Sequence, residues 1–193
     1  MVEVDETFLG KQPTVYTADG GFHKKTGTSG LKKIVALVER GGRARTVKVD
    51  NVTASDLRKV VLMNVYRDSV LQTDEAAYYR KLGREFHGHQ TVNHSKYEYA
   101  RGTATTNTVE GYFSIFKRGM KGVYQHCSEA HLHRYLAEFD FRYNNRAAFK
   151  ISDRERADLA LEGIRGKRLT YRRTSGQQQE SSPTSPTIKG PYF

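Results

Sequence analysis

Three acidic residues carry the most demanding chemistry open to this sequence. Asp5 lies inside a β-forming run, Val2 to Phe8, and Asp74 follows a second such run, Ser69 to Thr73. Glu110 opens a segment with helical spacing. If the two strands are neighbours in one sheet, the three acids converge although they are far apart along the chain. Carboxylates gathered in this way repel one another unless a cation joins them. Mg²⁺ accepts such an oxygen-only set and keeps positions for water and a substrate phosphate. Two such ions about 4 Å apart can activate an attacking oxygen and stabilise a leaving one at phosphorus. Singly, each acid has a plainer reading: an Asp at a strand end serves turns and caps, and a Glu in a first helical turn complements the helix dipole. Asp50 and Asp56 are read in that plainer way, as turn and cap.

The helix after Glu110 adds to the set. Val109, Tyr112, Phe113 and Phe116 form one apolar face, which leaves Glu110, Ser114 and Lys117 together along its edge. Lys117 either meets a phosphate two turns from the metal or is an ordinary solvated lysine. Asn107, one turn before Glu110, orients that glutamate, touches a nucleic acid, or caps the helix. Lys117, Arg118, Lys121 and the later cluster Arg165, Lys167, Arg168, Arg172 and Arg173 are candidates for phosphate contacts that position without reading sequence. For that cluster a solvated basic face is the equal alternative. Tyr78 and Tyr79 follow Asp74 and either pack in the core or stack on a base. His87, His89 and His94 lack an acidic or Cys partner nearby, which makes zinc a poor reading of them.

The elements that must position these residues follow from pattern. Val2 to Phe8, Leu31 to Val38 and Arg45 to Val49 predict three strands, with a turn at Gly41-Gly42. Gly10 to Gly30 is polar and glycine-rich and is expected to be a long mobile loop. Thr53-Ala-Ser-Asp56 has capping-box form, with Asp in place of Glu, and starts a helix through Leu57, Val60 and Val61. The strand before Asp74, a short helix around Tyr78, Tyr79 and Leu82, and a strand at Gln90 to Asn93 complete the order strand, strand, strand, helix, strand, helix, strand. A helix over Thr108 to Arg118 is expected to end at Gly119 and Gly122. A longer one follows an N-cap at Ser128, with Leu132, Tyr135, Leu136, Phe139 and Tyr143 on its apolar face. Residues 1–150 are expected to form the catalytic domain, 151–173 a basic extension, and 174–193, rich in Ser, Gln, Pro and Gly, a disordered tail.

Composition restricts the partners. Lys and Arg number 32 against 21 Asp and Glu, a formal charge of +11 over 193 residues. That surplus favours a polyanion, and nucleic acid first, through phosphate neutralisation and counterion release. Cys127 is the single cysteine, so no internal disulfide and no Cys-rich zinc site is possible. No apolar stretch reaches the roughly 20 residues of a membrane helix, and no signal peptide is evident. No membrane partner is expected.

Four ordered blocks carry a family resemblance: Val2-Glu-Val-Asp5-Glu-Thr7, Leu71-Gln-Thr-Asp74-Glu75, Thr106-Asn-Thr-Val-Glu110-Gly-Tyr-Phe-Ser-Ile-Phe-Lys117-Arg-Gly119, and His131 through Asn144-Asn-Arg146. Over about residues 2–146 the chain resembles insertion-sequence DDE transposases of the ISXO type, which are related to the eukaryotic Merlin elements. The resemblance implies an α/β, RNase H-like fold: a five-stranded mixed sheet, its first three strands antiparallel, flanked by helices. It implies Asp5, Asp74 and Glu110 as metal ligands for two Mg²⁺ ions, with Mn²⁺ able to substitute, and Lys117 as the basic residue that follows the glutamate. The implied activity is strand cleavage and strand transfer at transposon ends. The implied partners are transposon-end and target DNA, bound by a homodimer or higher oligomer, in the cytoplasm and at the nucleoid if the source is bacterial. Relatives usually carry a DNA-binding segment, a zinc ribbon or helix-turn-helix, before the first aspartate. Four residues precede Asp5, so the chain is expected to be a fragment or a truncated element, in which recognition of element ends is not assured. An RNase H-like nuclease without strand transfer, and a DNA-gripping remnant that no longer cuts, are the competing readings.

Overall fold

The computed structural model describes residues 1–24, 26–93 and 104–167, and the backbone of 100–101. His94, Arg168, Arg172, Arg173 and the expected tail lie outside the described residues. Two compact units emerge: the first holds Met1–Asn144, and the second begins at Asn145.

The first unit is built on the alternation of β1 (Val2–Leu9). Val2 and Val4 point to one face and are fully buried, while Glu3, Asp5 and Thr7 point to the other. A small hairpin, β2 (Thr14–Tyr16) and β3 (Phe22–Lys24), interrupts the connection to β4 (Lys32–Glu39). The mobile loop expected over Gly10 to Gly30 is thus partly ordered. Its short strands expose Tyr16 and Phe22, so no apolar alternation announced them. β4 is buried along most of its length, as a strand covered on both faces must be. The turn to β5 (Ala44–Val49) bonds Glu39 to Arg43 and places Gly41 at φ +70°, as the Gly-Gly step predicts.

Helix α1 (Ala54–Asn64) starts at Thr53, whose hydroxyl accepts from the Asp56 amide at 3.2 Å and donates to its carboxylate at 2.7 Å. Next come β6 (Val70–Thr73), α2 (Tyr79–Gly83) and β7 (Gly88–Thr91). The last strand begins two residues earlier than the Gln90 to Asn93 expectation. The ladder explains the shift, since Val70 pairs with Gly88 and Thr73 with Thr91. The five long strands form one mixed sheet in the order β5-β4-β1-β6-β7. β1, β4 and β5 run antiparallel, and β1, β6 and β7 run parallel.

A minimal ladder, β8 (Ala100–Arg101) with β9 (Ala104–Thr105), precedes α3 (Asn107–Gly119). All four apolar residues of the predicted face of α3 are buried. Helix α3 ends at Gly119, as expected, but the chain then keeps a helical course through Gly122 as a π-turn over Met120–Tyr124. Gly119 has another reason to be small: a Cβ there would run into the ring of Phe139 on α4 (Leu132–Asn144). Ser128 leads into α4 through a 3₁₀ turn over Glu129–His131. Leu132 and Leu136 are fully enclosed, while Tyr135, Phe139 and Tyr143 pack at the margin.

Helices therefore cover both faces of the sheet. Leu57 and Val61 of α1 and Tyr79 and Leu82 of α2 pack on Val2, Val4 and Leu71. The faces of α3 and α4 pack on Ile34, Ala36 and Val38. In the second unit, α5 (Asp153–Glu162) is started by a capping box between Ser152 and Glu155 and buries no residue. Among the described residues no helix is long and apolar enough to cross a membrane.

Candidate active site

The register of the parallel pair sets the site. Val2 stands beside Leu71 and Glu3 beside Gln72. Asp5 and Asp74 each lie two residues beyond that paired stretch, on the same offset, Asp5 still within β1 and Asp74 just past the end of β6. Asp5 is half-buried, and its Oδ1 accepts from the Glu6 amide at 2.8 Å. Asp74 is also half-buried and turns the chain out of β6 by accepting from the Ala76 amide at 3.0 Å. Glu110, in the first turn of α3, is exposed, and its Oε1 accepts from the buried Thr106 hydroxyl at 2.8 Å.

Electrostatics ties these positions together. Burial, and then the charge of Glu6, push the Asp5 carboxyl up to about 7, and Asp74 and Glu110 add to that push. The backbone bond from Glu6 acts in the opposite sense. Three acids from three elements thus share one field. Among the described residues, no three His, Cys, Asp or Glu side chains are drawn tightly enough to enclose a metal ion as they stand. The donor chemistry of the three acids nevertheless suits a hard divalent cation: it is oxygen only, and burial together with neighbouring charge destabilises the Asp5 anion in a way that a positive ion would relieve.

The rest of the predicted set is dispersed along α3. Lys117 is half-buried, and Arg118 and Lys121 are exposed. Lys121 lines a cleft of about 270 Å³ with Lys11, Lys32 and Gln125. Asn107 is exposed, and Thr106 occupies the cap position, so the capping reading of Asn107 does not hold.

A family model described as the ISXO2-like transposase domain matches residues 1–144. The chain belongs to that family. No curated protein matches the transposase domain. A solved structure described as the simian T-cell lymphotropic virus intasome in complex with PP2A regulatory subunit B56 gamma is 11% identical, with a TM-score of 0.43. The match covers 98% of this chain and 67% of that one. A likeness this loose carries neither fold nor function.

Beside the acids of the transposase domain lies one residue that the sequence did not single out, Glu6. Glu6 accepts from both tyrosines that follow Asp74: from the Tyr79 hydroxyl at 2.7 Å and from the Tyr78 hydroxyl. Tyr79 is buried and Tyr78 partly so, with their rings edge to face at 4.9 Å. Core packing is therefore their role, and their hydroxyls fasten the segment after Asp74 to β1. Burial, followed by Glu6, raises both phenols, so they remain protonated donors. His89 is half-buried against Thr73, with its Nε2 at 2.9 Å from the threonine hydroxyl. Burial lowers its pKa, as befits a neutral packing residue.

Proposed function

We propose that this transposase domain has an RNase H-like architecture and catalyses metal-dependent cleavage and transfer of DNA strands, with Asp5, Asp74 and Glu110 as the ligands. The observation that supports the reading is the half-buried Asp5 of β1, whose carboxyl is raised first by burial and then by Glu6, with Asp74 after β6 and Glu110 in the first turn of α3 adding to the same push. The strand order, with three antiparallel strands followed by two parallel ones, supports the architecture.

Bound Mg²⁺ would supply a lowered pKa for an attacking hydroxyl and charge stabilisation at phosphorus. The chain's own residues would hold and orient the reactants. Asp5 and Asp74 sit where the strands part, so a phosphodiester can approach from outside the sheet. Lys117 and Lys121, about two and three turns further along the face of Glu110, would take the flanking phosphates, and Lys11 and Lys32 would extend that track. In the first step water displaces the 3′ oxygen from phosphorus and leaves a 3′-hydroxyl. In the second, that hydroxyl attacks a target phosphodiester and displaces its 3′ oxygen. Two DNA ends must meet for this sequence to finish, so a dimer or larger assembly on DNA is part of the proposal.

Asp74→Asn is the discriminating substitution, because the amide oxygen can still accept from Ala76 and only the charge is lost. Wild type should nick supercoiled plasmid in Mg²⁺ or Mn²⁺ and join a pre-cut oligonucleotide end to it. Asp74→Asn should lose at least about a hundredfold, since even residues behind a metal's direct ligands cost 10 to 100-fold. Unchanged nicking by a folded Asp74→Asn would overturn the proposal. Nicking without joining would reduce it to a nuclease.

A further inference from the structure

A carboxylate with no exposed surface in the middle of a sheet is costly unless every lone pair is met. Glu3 is such a group. Its Oε2 accepts from the Thr108 and Val109 amides at 2.8 and 3.0 Å, and its Oε1 accepts from the Thr108 hydroxyl at 2.9 Å. Arg40, just past β4, donates to Oε1 from Nε at 3.2 Å and from Nη2 at 2.9 Å. The same guanidinium donates to Gln72 Oε1 and, at 3.4 Å, to the Thr105 carbonyl. Gln72 in turn donates to Gln90 on β7 at 2.8 Å.

The placement matters more than the number of bonds. Glu3 and Gln72 are register partners, and each stands two residues before a proposed ligand, Asp5 on the same face of β1 as Glu3 and Asp74 just past the end of β6. Thr108 and Val109 immediately precede the third. One buried polar layer therefore lies a single step beneath Asp5, Asp74 and Glu110 and touches the element that carries each of them.

A helix start needs acceptors for its free amides, and the ordinary source is a local side chain at the cap position. Thr106 occupies that position and makes no such bond. Its hydroxyl is given to Glu110 instead. The cap comes from β1, which fixes where α3 begins relative to the strand that bears Asp5.

We propose that Glu3 is a positioning residue: with Arg40 and Gln72 it sets Glu110 in register with Asp5 and Asp74 and thereby tunes divalent-cation binding. This rests on the functional reading above. Groups behind direct ligands commonly govern metal affinity in this way.

Glu3→Gln keeps the volume but places an NH₂ against donors on one side or the other. Arg40→Lys keeps the charge and loses the fork that spans Glu3 and Gln72; because Arg40 is partly exposed, this second variant is expected to fold even where the first does not. Mn²⁺ binding to the whole chain, followed by loss of the free-ion EPR signal, should weaken at least about fivefold in Glu3→Gln and less in Arg40→Lys. In plasmid nicking, kcat should fall about tenfold while KM for DNA moves little. Circular dichroism and thermal melting confirm which variants are folded. Folded variants with wild-type Mn²⁺ binding and kcat would reduce Glu3 to a remote helix cap and overturn the proposal. A wild type that neither binds Mn²⁺ nor nicks would instead sink the functional reading, and this inference with it.

Discussion

Glu3 and Glu85 show how differently a carboxylate can be used within one small domain. Glu3 is enclosed, and its value lies in geometry. Glu85 sits near the surface between Arg58 of α1, at 2.6 Å, and Arg67, at 2.9 Å. Hydrogen bonds from the two arginines hold its pKa well down, to about 2. The folded value is below the unfolded one, so its stabilisation is present above the ordinary 4.5 and is lost as pH falls towards 2. Glu85→Gln should therefore melt slightly below wild type at neutral pH, and the gap should close as the pH drops through 4 to 2; a gap that persists in acid would contradict this. The effect should be modest and salt-sensitive, as for any exposed pair. At this scale the sequence was legible where chemistry is local. Asp56 was rightly read in a cap, and Asp5, Asp74 and Glu110 stood out by type and setting as candidates. Glu3 did not stand out, because its partners at 40, 108 and 109 are distant in sequence. The available signal was the alternation of β1: with Val2 and Val4 committed to one core, Glu3 had to face the other.

Elements were legible in proportion to what they bury. The periodicity of α3 predicted all of its buried face, and β1, β4, β5 and β6 declared themselves through β-forming runs. The hairpin β2–β3 and helix α5 went unseen because they enclose almost nothing, although Ser152 with Glu155 was a usable start signal for α5. Helix α3 does end at Gly119, but the π-turn that follows was not foreseen, nor was the packing against Phe139 that keeps Gly119 small, because a glycine needed for close packing looks the same in sequence as one needed for a turn. Helix α4 has a role that no periodicity reveals. β5 is an edge strand, and α4 supplies the ladder partners it lacks. Asn144 bonds both the amide and the carbonyl of Ala44, at 2.6 and 2.9 Å. Asp140 accepts from the Thr46 amide at 2.8 Å, and from the Thr46 and Tyr112 hydroxyls at 3.0 and 2.7 Å. An edge closed in this way is not open to a foreign strand. Asp140→Ala would strand those buried donors, so urea denaturation should report a loss of about 1–3 kcal/mol and static light scattering a greater tendency to associate. Neither change would be seen if water replaces the carboxylate without cost.

For the whole molecule, the surplus of positive charge bears on affinity for a polyanion, DNA in the proposed function, rather than on fold. If Lys117 and Lys121 neutralise phosphates, replacing both with Ala should weaken binding to unrelated duplexes alike. The slope of log K against log salt should become shallower by about 0.9 for each phosphate left without its lysine. A slope equal to wild type would mean that the basic track lies elsewhere, Arg165 and Lys167 being the next candidates among the described residues. The β2–β3 hairpin bears on how the domain can be studied and how it can vary. Among the described residues it pairs with no other strand, and a lone two-stranded ribbon is marginally stable, so little of the domain's cohesion resides there. Lengthening such a segment is inexpensive, about 0.6 kcal/mol for each doubling. An epitope, a fluorophore or a second protein grafted between Thr17 and Gly21 should therefore leave the central sheet, and the three acids above it, undisturbed.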